Sequence, residues 1–424
     1  MTSANNSKNS IVPITIIGIL FFIFGFVTWL NSSLIPFLKS ACELNNLQAF
    51  LVTFAFYISY FVMAIPSSFV LKKTGFKSGM SLGLFVMALG SFIFLPAAAT
   101  RTYWMFITGL FIQGTGLSIL QTASNPYVTK LGPIESAAKR ISIMGICNKV
   151  AGFMGPLVLG AIILKNFEAI NNSVKEAIKI SDKVTVETLL DQLAQRAILP
   201  YIIIGVVLLA LSFFIRWSPL PEIEKEEEEV YADTKKSSIF GFPHLLLGAV
   251  AIFFYVGAEV ISIDSITLYG KSIGVNMDNA RFFPLMPLTG MVIGYILGII
   301  LIPRFIRQAK ALQISSVLAL LFSIAAIVFK GYSSIAFIAL LGLANAIMWP
   351  AIWPLAIDRL GRFTKTGSAL LIMGIAGGAL LPECFGLLAD IPSIGYQLSY
   401  LILLPCYIFI LFYAVKGHKI RLHN

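Results

Sequence analysis

The sequence predicts an all-α integral membrane protein of twelve transmembrane helices, arranged as two six-helix halves. Three observations carry this reading. Of the 424 residues, 58% are hydrophobic and only 12% are charged, with a mean hydropathy of +0.87. An ordinary soluble domain is about 25% charged, and no water-soluble core of this size hides so much apolar surface. The apolar residues also fall into runs of about 20, the length that crosses the hydrocarbon layer of a bilayer. Finally, one acidic stretch divides these runs six and six. Soluble enzymes, nucleic-acid-binding proteins and disordered tails are excluded. The net charge of +11 does not mark a nucleic-acid partner, because the bases sit in the short gaps between apolar runs, where they set orientation in the bilayer.

The first run, roughly 12–38, follows the polar segment Met1 to Ser10. It is too long for a signal-peptide core and lacks a small-residue cleavage site, so it is expected to remain as the first helix. Runs at 47–71, 78–98, 103–129 and 138–164 follow. Lys165 to Ala197 is polar, with Ile170, Val174 and Ile178 at four-residue spacing, which predicts one small amphipathic helical excursion. The sixth run is 198–215. Arg216 to Phe240 contains Pro219, Pro221 and Glu226-Glu227-Glu228-Glu229, a composition that reads as a solvated linker. The predicted organisation is therefore a half at 1–216, a linker at 217–240 and a half at 241–424. The second half holds runs at 242–270, 282–303, 311–329, 333–357, 367–389 and 396–415.

Lysine and arginine orient these runs. With both termini cytoplasmic, the cytoplasmic segments hold twenty of them and the opposite side five, leaving aside the long 165–197 segment. Both termini are therefore predicted to be cytoplasmic. Cys147, Cys384 and Cys406 lie inside apolar runs and only Cys42 lies in a loop, so no disulfide framework is expected. The halves also resemble each other. Leu131-Gly132 and Ile143-Met144-Gly145-Ile146 recur as Leu360-Gly361 and Ile372-Met373-Gly374-Ile375, each at an offset of 229 residues.

Inside hydrocarbon the polar side chains carry the information, since an ionisable group at mid-span costs about 2.5–3.5 kcal/mol on insertion scales. By depth the candidates are Lys149 in the fifth run, Glu259 and Asp264 in the seventh, and Glu383 in the eleventh; Asp358 and Asp390 lie near run ends. Glu259 and Asp264 are five residues apart, about 140° around a regular helix, so they are not expected to share a ligand. Glu259 either binds a cation or substrate, or forms a structural pair with Lys149 across the gap between halves.

Uncharged polar residues form stripes. Gln121 and Asn125 share a face of the fourth run, with Gln113 two turns earlier. Asn148 lies between Gly145 and Gly152, small residues that admit a close neighbour. Asn345, Trp349 and Trp353 repeat every four residues in the tenth run beside Pro350 and Pro354, and Asn31 follows Trp29 in the first. Amides hydrogen-bond hydroxyls, and an aromatic face packs on the C–H face of a pyranose ring, so a neutral polyol suits this set. Singly, each amide also fits an interhelical hydrogen bond, and each tryptophan an interfacial belt. No Walker-type loop and no paired-His metal motif occurs, and no nucleophile–base set for an enzyme. No cofactor is expected beyond a coupling ion, H⁺ or Na⁺.

The segments Phe24-Gly-Phe-Val-Thr-Trp-Leu-Asn31-Ser-Ser-Leu-Ile-Pro36, Ala55-Phe-Tyr-Ile-Ser-Tyr-Phe61 and Gln121-Thr-Ala-Ser-Asn-Pro-Tyr127 resemble the fucose–galactose–hexose symporter family of the major facilitator superfamily. Ile143-Met-Gly-Ile-Cys-Asn-Lys149 and Tyr255-Val-Gly-Ala-Glu259 resemble its bacterial glucose/galactose transporters. The resemblance implies a substrate site between the halves near the bilayer midplane, a location in the bacterial inner membrane and a small-molecule sugar as ligand. Proton-coupled members carry an Asp in the first span and a Glu in the fourth. Here the matching positions are Ser32 and Gln121, which cannot titrate, while the fifth-span Asn of those members corresponds to Asn148. The expected substrate-binding set is Asn31, Gln121, Asn125, Asn148, Asn345 and Trp349, and the expected cation-coupling set is Glu259, Asp264 and Lys149. The expected protein is a monomeric hexose–cation symporter embedded in lipid. A uniporter, a drug-type efflux transporter and a non-transporting sugar sensor are the alternatives.

Overall fold

In the computed structural model, which describes residues 3–130, 137–220 and 238–420, helices and turns account for the chain and no strand occurs among the described residues. Among the described residues, twelve helices are long and apolar enough to cross a membrane: Pro13–Ala41, Leu47–Leu71, Lys73–Ala99, Tyr103–Asn125, Arg140–Ile163, Lys183–Trp217, Pro243–Asp264, Met277–Leu301, Gln308–Val328, Tyr332–Ile357, Thr366–Ala389 and Gly395–Lys419. They are called the first to twelfth spans below. Helix is the required form, because hydrocarbon offers the backbone no partner and each segment must satisfy its own N–H and C=O groups. Most of the expected linker and the Leu131-Gly132 pair lie outside the described residues.

Several spans are broken, and each break has a local cause. The first is interrupted at Leu30, whose carbonyl accepts from both Ser33 and Leu34 at 3.0 Å. Gly75, at φ 77°, breaks the helix just inside the start of the third span, a backbone conformation that a side chain would strain. The tenth divides between Asn345 and Met348, one turn before Pro350, which has no N–H to return to Ala346. The eleventh tightens into a 3₁₀ turn at Gly374–Ala376.

The 165–197 segment differs from expectation. It forms two helices, Phe167–Lys179 and Lys183–Gln195, rather than one. Ser181 at φ 58° reverses the chain, and the Asp182 carboxylate accepts the Thr185 N–H at 3.1 Å to start the second helix. The Thr185 hydroxyl and N–H, both donating to it, hold the Asp182 carboxyl below its usual range. Val174 is buried and Ile178 is exposed, so only part of the expected stripe packs. Arg101 fastens the second helix through Glu187 at 2.6 Å and Asp191 at 3.4 Å.

The same close crossing occurs in both halves. A Cβ at Gly25 would enter the backbone of Asn148, joining the first and fifth spans; a Cβ at Gly377 would enter the backbone of Phe253, joining the eleventh and seventh. Gly377 stands 229 residues after Asn148, the offset of the sequence repeat. The halves meet at the face away from the termini. There the Phe50 and Phe385 rings lie 6.3 Å apart and Gly386 leaves room for Phe50. The Glu168 carboxylate accepts the Met277 N–H at 3.3 Å, and Arg281 donates to the Leu164 carbonyl at 3.1 Å. These contacts close the far face above the midplane.

Candidate functional site

Below that closure, a cavity lies between the halves. Its first-half wall is built from Trp29, Tyr57, Tyr60, Gln121, Asn125, Asn148 and Lys149, and its second-half wall from Tyr255, Glu259, Tyr295 and Trp349. The wall is mostly apolar with a few convergent polar groups, the usual make-up of a small-molecule site.

Two clusters organise it. In the first, Gln121 Nε2 donates to the Tyr60 hydroxyl at 3.0 Å, and Tyr60 stacks on Tyr57 with ring centroids 6.2 Å apart. The second centres on Trp29. Its indole Nε1 donates to Asn148 Oδ1 at 3.3 Å, while Lys149 Nζ sits 3.9 Å from its ring centroid. Gly152 makes this possible, because a Cβ there would occupy the indole's place. Lys149 in turn forms an ion pair with Glu259, joining the fifth span to the seventh and so one half to the other. Both residues are buried, at 5% and 6% exposure. A buried pair of this kind is stable only while both members are present, since either charge alone bears its full desolvation cost. Opposite, Trp349 stacks on Trp353 at 5.4 Å and tilts over Tyr255 at 6.3 Å. Gly145 accommodates the Tyr295 ring, which a Cβ would approach to 2.8 Å.

The arrangement presents amide and hydroxyl groups beside flat aromatic faces, with one charged pair at the seam. It suits a hydroxyl-rich ring of modest size.

Six of the nine residues singled out from the sequence line the cavity: Gln121, Asn125, Asn148, Lys149, Glu259 and Trp349. Asn345 does not. It is fully buried, and its Oδ1 accepts from the Tyr407 hydroxyl of the twelfth span at 3.0 Å. Its expected stripe with Trp349 assumed an unbroken helix, and the break before Met348 turns the two apart. Asp264 also lies off the cavity and accepts from Thr53 Oγ1 at 3.3 Å. The side chain of Asn31 lies outside the described residues, as does that of Ser32. The residues that sequence reasoning passed over are mainly tyrosines. Tyr57 and Tyr60 are three apart on one helix face, and Tyr255 is four from Glu259, a spacing that would have grouped them with the polar candidates. Tyr295 carries no comparable signal.

With this geometry in view, the comparisons with known proteins converge. The profile of the Major Facilitator Superfamily matches residues 17–382. A glucose/galactose transporter of Brucella abortus (strain 2308) is 33% identical over 424 residues, covering 99% of this chain and 97% of the relative. An L-fucose-proton symporter of Escherichia coli (strain K12) is 29% identical over 399 residues, covering 91% and 89%. Among solved structures, the E. coli fucose:proton symporter matches with a TM-score of 0.74 at 26% identity, covering 96% of this chain and 98% of that one. A bacterial homologue of the human lysosomal transporter Spinster, in an inward-facing and unoccupied conformation, matches over the whole of both chains with a TM-score of 0.63. At 17% identity it shares the fold alone.

Proposed function

This chain belongs to the major facilitator superfamily, and from that premise we propose that it imports a hexose of the glucose or galactose type across a bacterial inner membrane, together with H⁺ or Na⁺, by exposing its cavity to the two faces in turn. It is a transporter and not an enzyme. The observation that carries the reading is the cavity itself. Amides and tyrosine hydroxyls from the first half face Trp349 and Tyr255 from the second, so a ring bound between them touches both halves. The names of the full-length relatives support a sugar as cargo and a symporter as the type. The base count places the termini in the cytoplasm. The closed far face is then the outer one.

The Lys149–Glu259 pair supplies a route to coupling. Parting the halves at the outer face pulls the fifth span from the seventh and separates two buried opposite charges. A cation that neutralises Glu259 removes that attraction, and Lys149 keeps its place over Trp29. The empty and loaded carriers then differ in their tendency to reorient, as symport requires.

Uptake into proteoliposomes tests this. Labelled glucose and galactose are offered with a pH gradient or a Na⁺ gradient imposed separately. The expected result is accumulation driven by one gradient only. Hexose exchange without accumulation under either gradient makes the protein a uniporter, and the absence of any hexose exchange overturns the sugar assignment.

A further inference from the structure

Asp264 has no part in the cavity, yet it occupies the seam where the halves close. It is 2% exposed and Thr53, its neighbour across the seam, is fully buried. Thr53 Oγ1 donates to Asp264 Oδ2 at 3.3 Å, tying the second span to the seventh. The second carboxyl oxygen, Oδ1, is buried without a hydrogen-bond partner, and no described ion pair includes the residue. The next residue offers it nothing: Ser265 Oγ is engaged with the Ile261 carbonyl and the Tyr400 hydroxyl. Glu259 lies five residues deeper on the same helix and already has Lys149 as its cation.

We propose that Asp264 is a proton-binding site that locks the outer face: a carboxylic acid while the halves meet there, and a carboxylate once they part and water reaches it. A bare carboxylate in a seam with one hydroxyl donor and no cation is strongly disfavoured. The closed face therefore selects the protonated form, and by reciprocity protonation selects the closed face. Water reaching the opened seam comes from the outer side, because Asp264 stands outside the cavity. The proton enters Oδ1 from the outer medium as an O–H bond and returns to it when the face reopens, so it gates the cycle without being carried. The inference rests on the alternating-exposure reading but on neither the identity of the hexose nor that of the coupling ion.

The ionisable and charged groups around Asp264 are Tyr57 beside Thr53 on the second span, Glu259 on its own helix with Lys149 behind it on the fifth, and Tyr400 through Ser265 on the twelfth. Lys39, Lys271 and Asp390 lie at the outer helix ends, and Glu383 is carried by the eleventh span, which packs against both the second and the seventh. Substitution at Asp264 separates its effect from all of these.

The test measures spin-label distances on the full-length protein in nanodiscs, without sugar and without a gradient. The four free cysteines are replaced by serine, and labels are placed at Glu43→Cys and Ile391→Cys, exposed positions at the outer ends of the first and eleventh spans. The short distance of the closed face should dominate at pH 5. The ratio of short to long distances should fall with rising pH, by up to roughly tenfold per unit, the limit for one proton. Asp264→Asn, neutral at every pH and still an acceptor for Thr53, should keep the short distance throughout. Asp264→Ser serves the same comparison if the asparagine variant folds poorly. A wild type without pH dependence overturns the proposal, as do variants that follow the wild-type curve. Recovery of the short distance by Na⁺ at pH 8 also overturns it, in favour of a metal cation. Failure of hexose uptake in the transport assay leaves these outcomes untouched.

Discussion

Neutralising Glu259 is the most informative perturbation of the site. In Glu259→Gln the buried Lys149 loses its counter-charge, and removing one member of a buried pair costs about 3–5 kcal/mol. Two features of the structure place this variant at the lower end. The glutamine oxygen can still accept from Lys149 Nζ, and the indole face of Trp29, 3.9 Å from that nitrogen, is untouched by the substitution. The expected loss is therefore about 3 kcal/mol. Lys149→Met leaves a carboxylate with no such support and belongs at the upper end, about 5 kcal/mol. The double variant removes two charges that are both buried and should return to within about 1 kcal/mol of wild type. Denaturation of the purified protein in mixed detergent micelles measures all four corners of this cycle. Transport separates the pair's two roles. Glu259→Gln should lose gradient-driven accumulation while keeping part of its exchange at equal concentrations, and the double variant should regain stability without regaining accumulation. Additive single and double changes would show that the two charges do not depend on each other. Full accumulation by Glu259→Gln would leave the pair as structure only.

Gln121→Ala and Asn148→Ala should each weaken hexose binding by about 1–3 kcal/mol, read by calorimetry, through an unpaired sugar hydroxyl; unchanged affinity in both removes the amides from the sugar site. Asn345→Ala should leave binding unchanged but lower stability by about 1–3 kcal/mol, because the Tyr407 hydroxyl is left buried without its acceptor. Cys42, at the end of the first span that the proposed orientation places outside, is half-buried, and that burial pushes its thiol up to about 11. Since only the thiolate reacts, an impermeant maleimide should label it in intact spheroplasts slowly at pH 7 and roughly tenfold faster per pH unit up to about pH 10. Labelling only after permeabilisation would reverse the orientation.

What was legible in the sequence is what hydrocarbon makes obligatory. Twelve runs of apolar residues have no stable form but helices, and a pair with Lys149 was one of the two roles the sequence left to Glu259. What was illegible depends on where helices stop being regular. Asn345 and Trp349 are four apart, and only an interruption between them, invisible to periodicity, sends one to Tyr407 and the other to the cavity. The 165–197 segment is similar: its apolar spacing spoke for one helix, while the reversal at Ser181 and the cap at Asp182 make two. Tyrosine hides for another reason. Counted with the apolar residues, Tyr57, Tyr60 and Tyr255 look like core, although a buried hydroxyl needs a partner and a cavity supplies one.

The link between cargo and ion pair runs through Trp29. Its N–H is held by Asn148, its ring face is held by Lys149, and those two residues are neighbours on the fifth span. Asn148 Oδ1 is also the acceptor a sugar hydroxyl would seek at this wall of the cavity. A hydroxyl that takes it competes with the indole N–H, and an indole that lets go of Asn148 is free to shift under Lys149. The ammonium follows the ring on which it rests, a contact worth about 2 kcal/mol when desolvated, and its pairing with Glu259 loosens. Sugar binding and neutralisation of Glu259 therefore act on one chain of contacts, Asn148 to Trp29 to Lys149 to Glu259, that begins in the first half and ends in the second. Sugar loosens the pair from the Asn148 end, a cation loosens it from the Glu259 end, and their free energies cannot add independently. Such non-additivity at a seam between two moving bodies is the physical content of coupling, and here it needs no titratable group at Ser32 or Gln121.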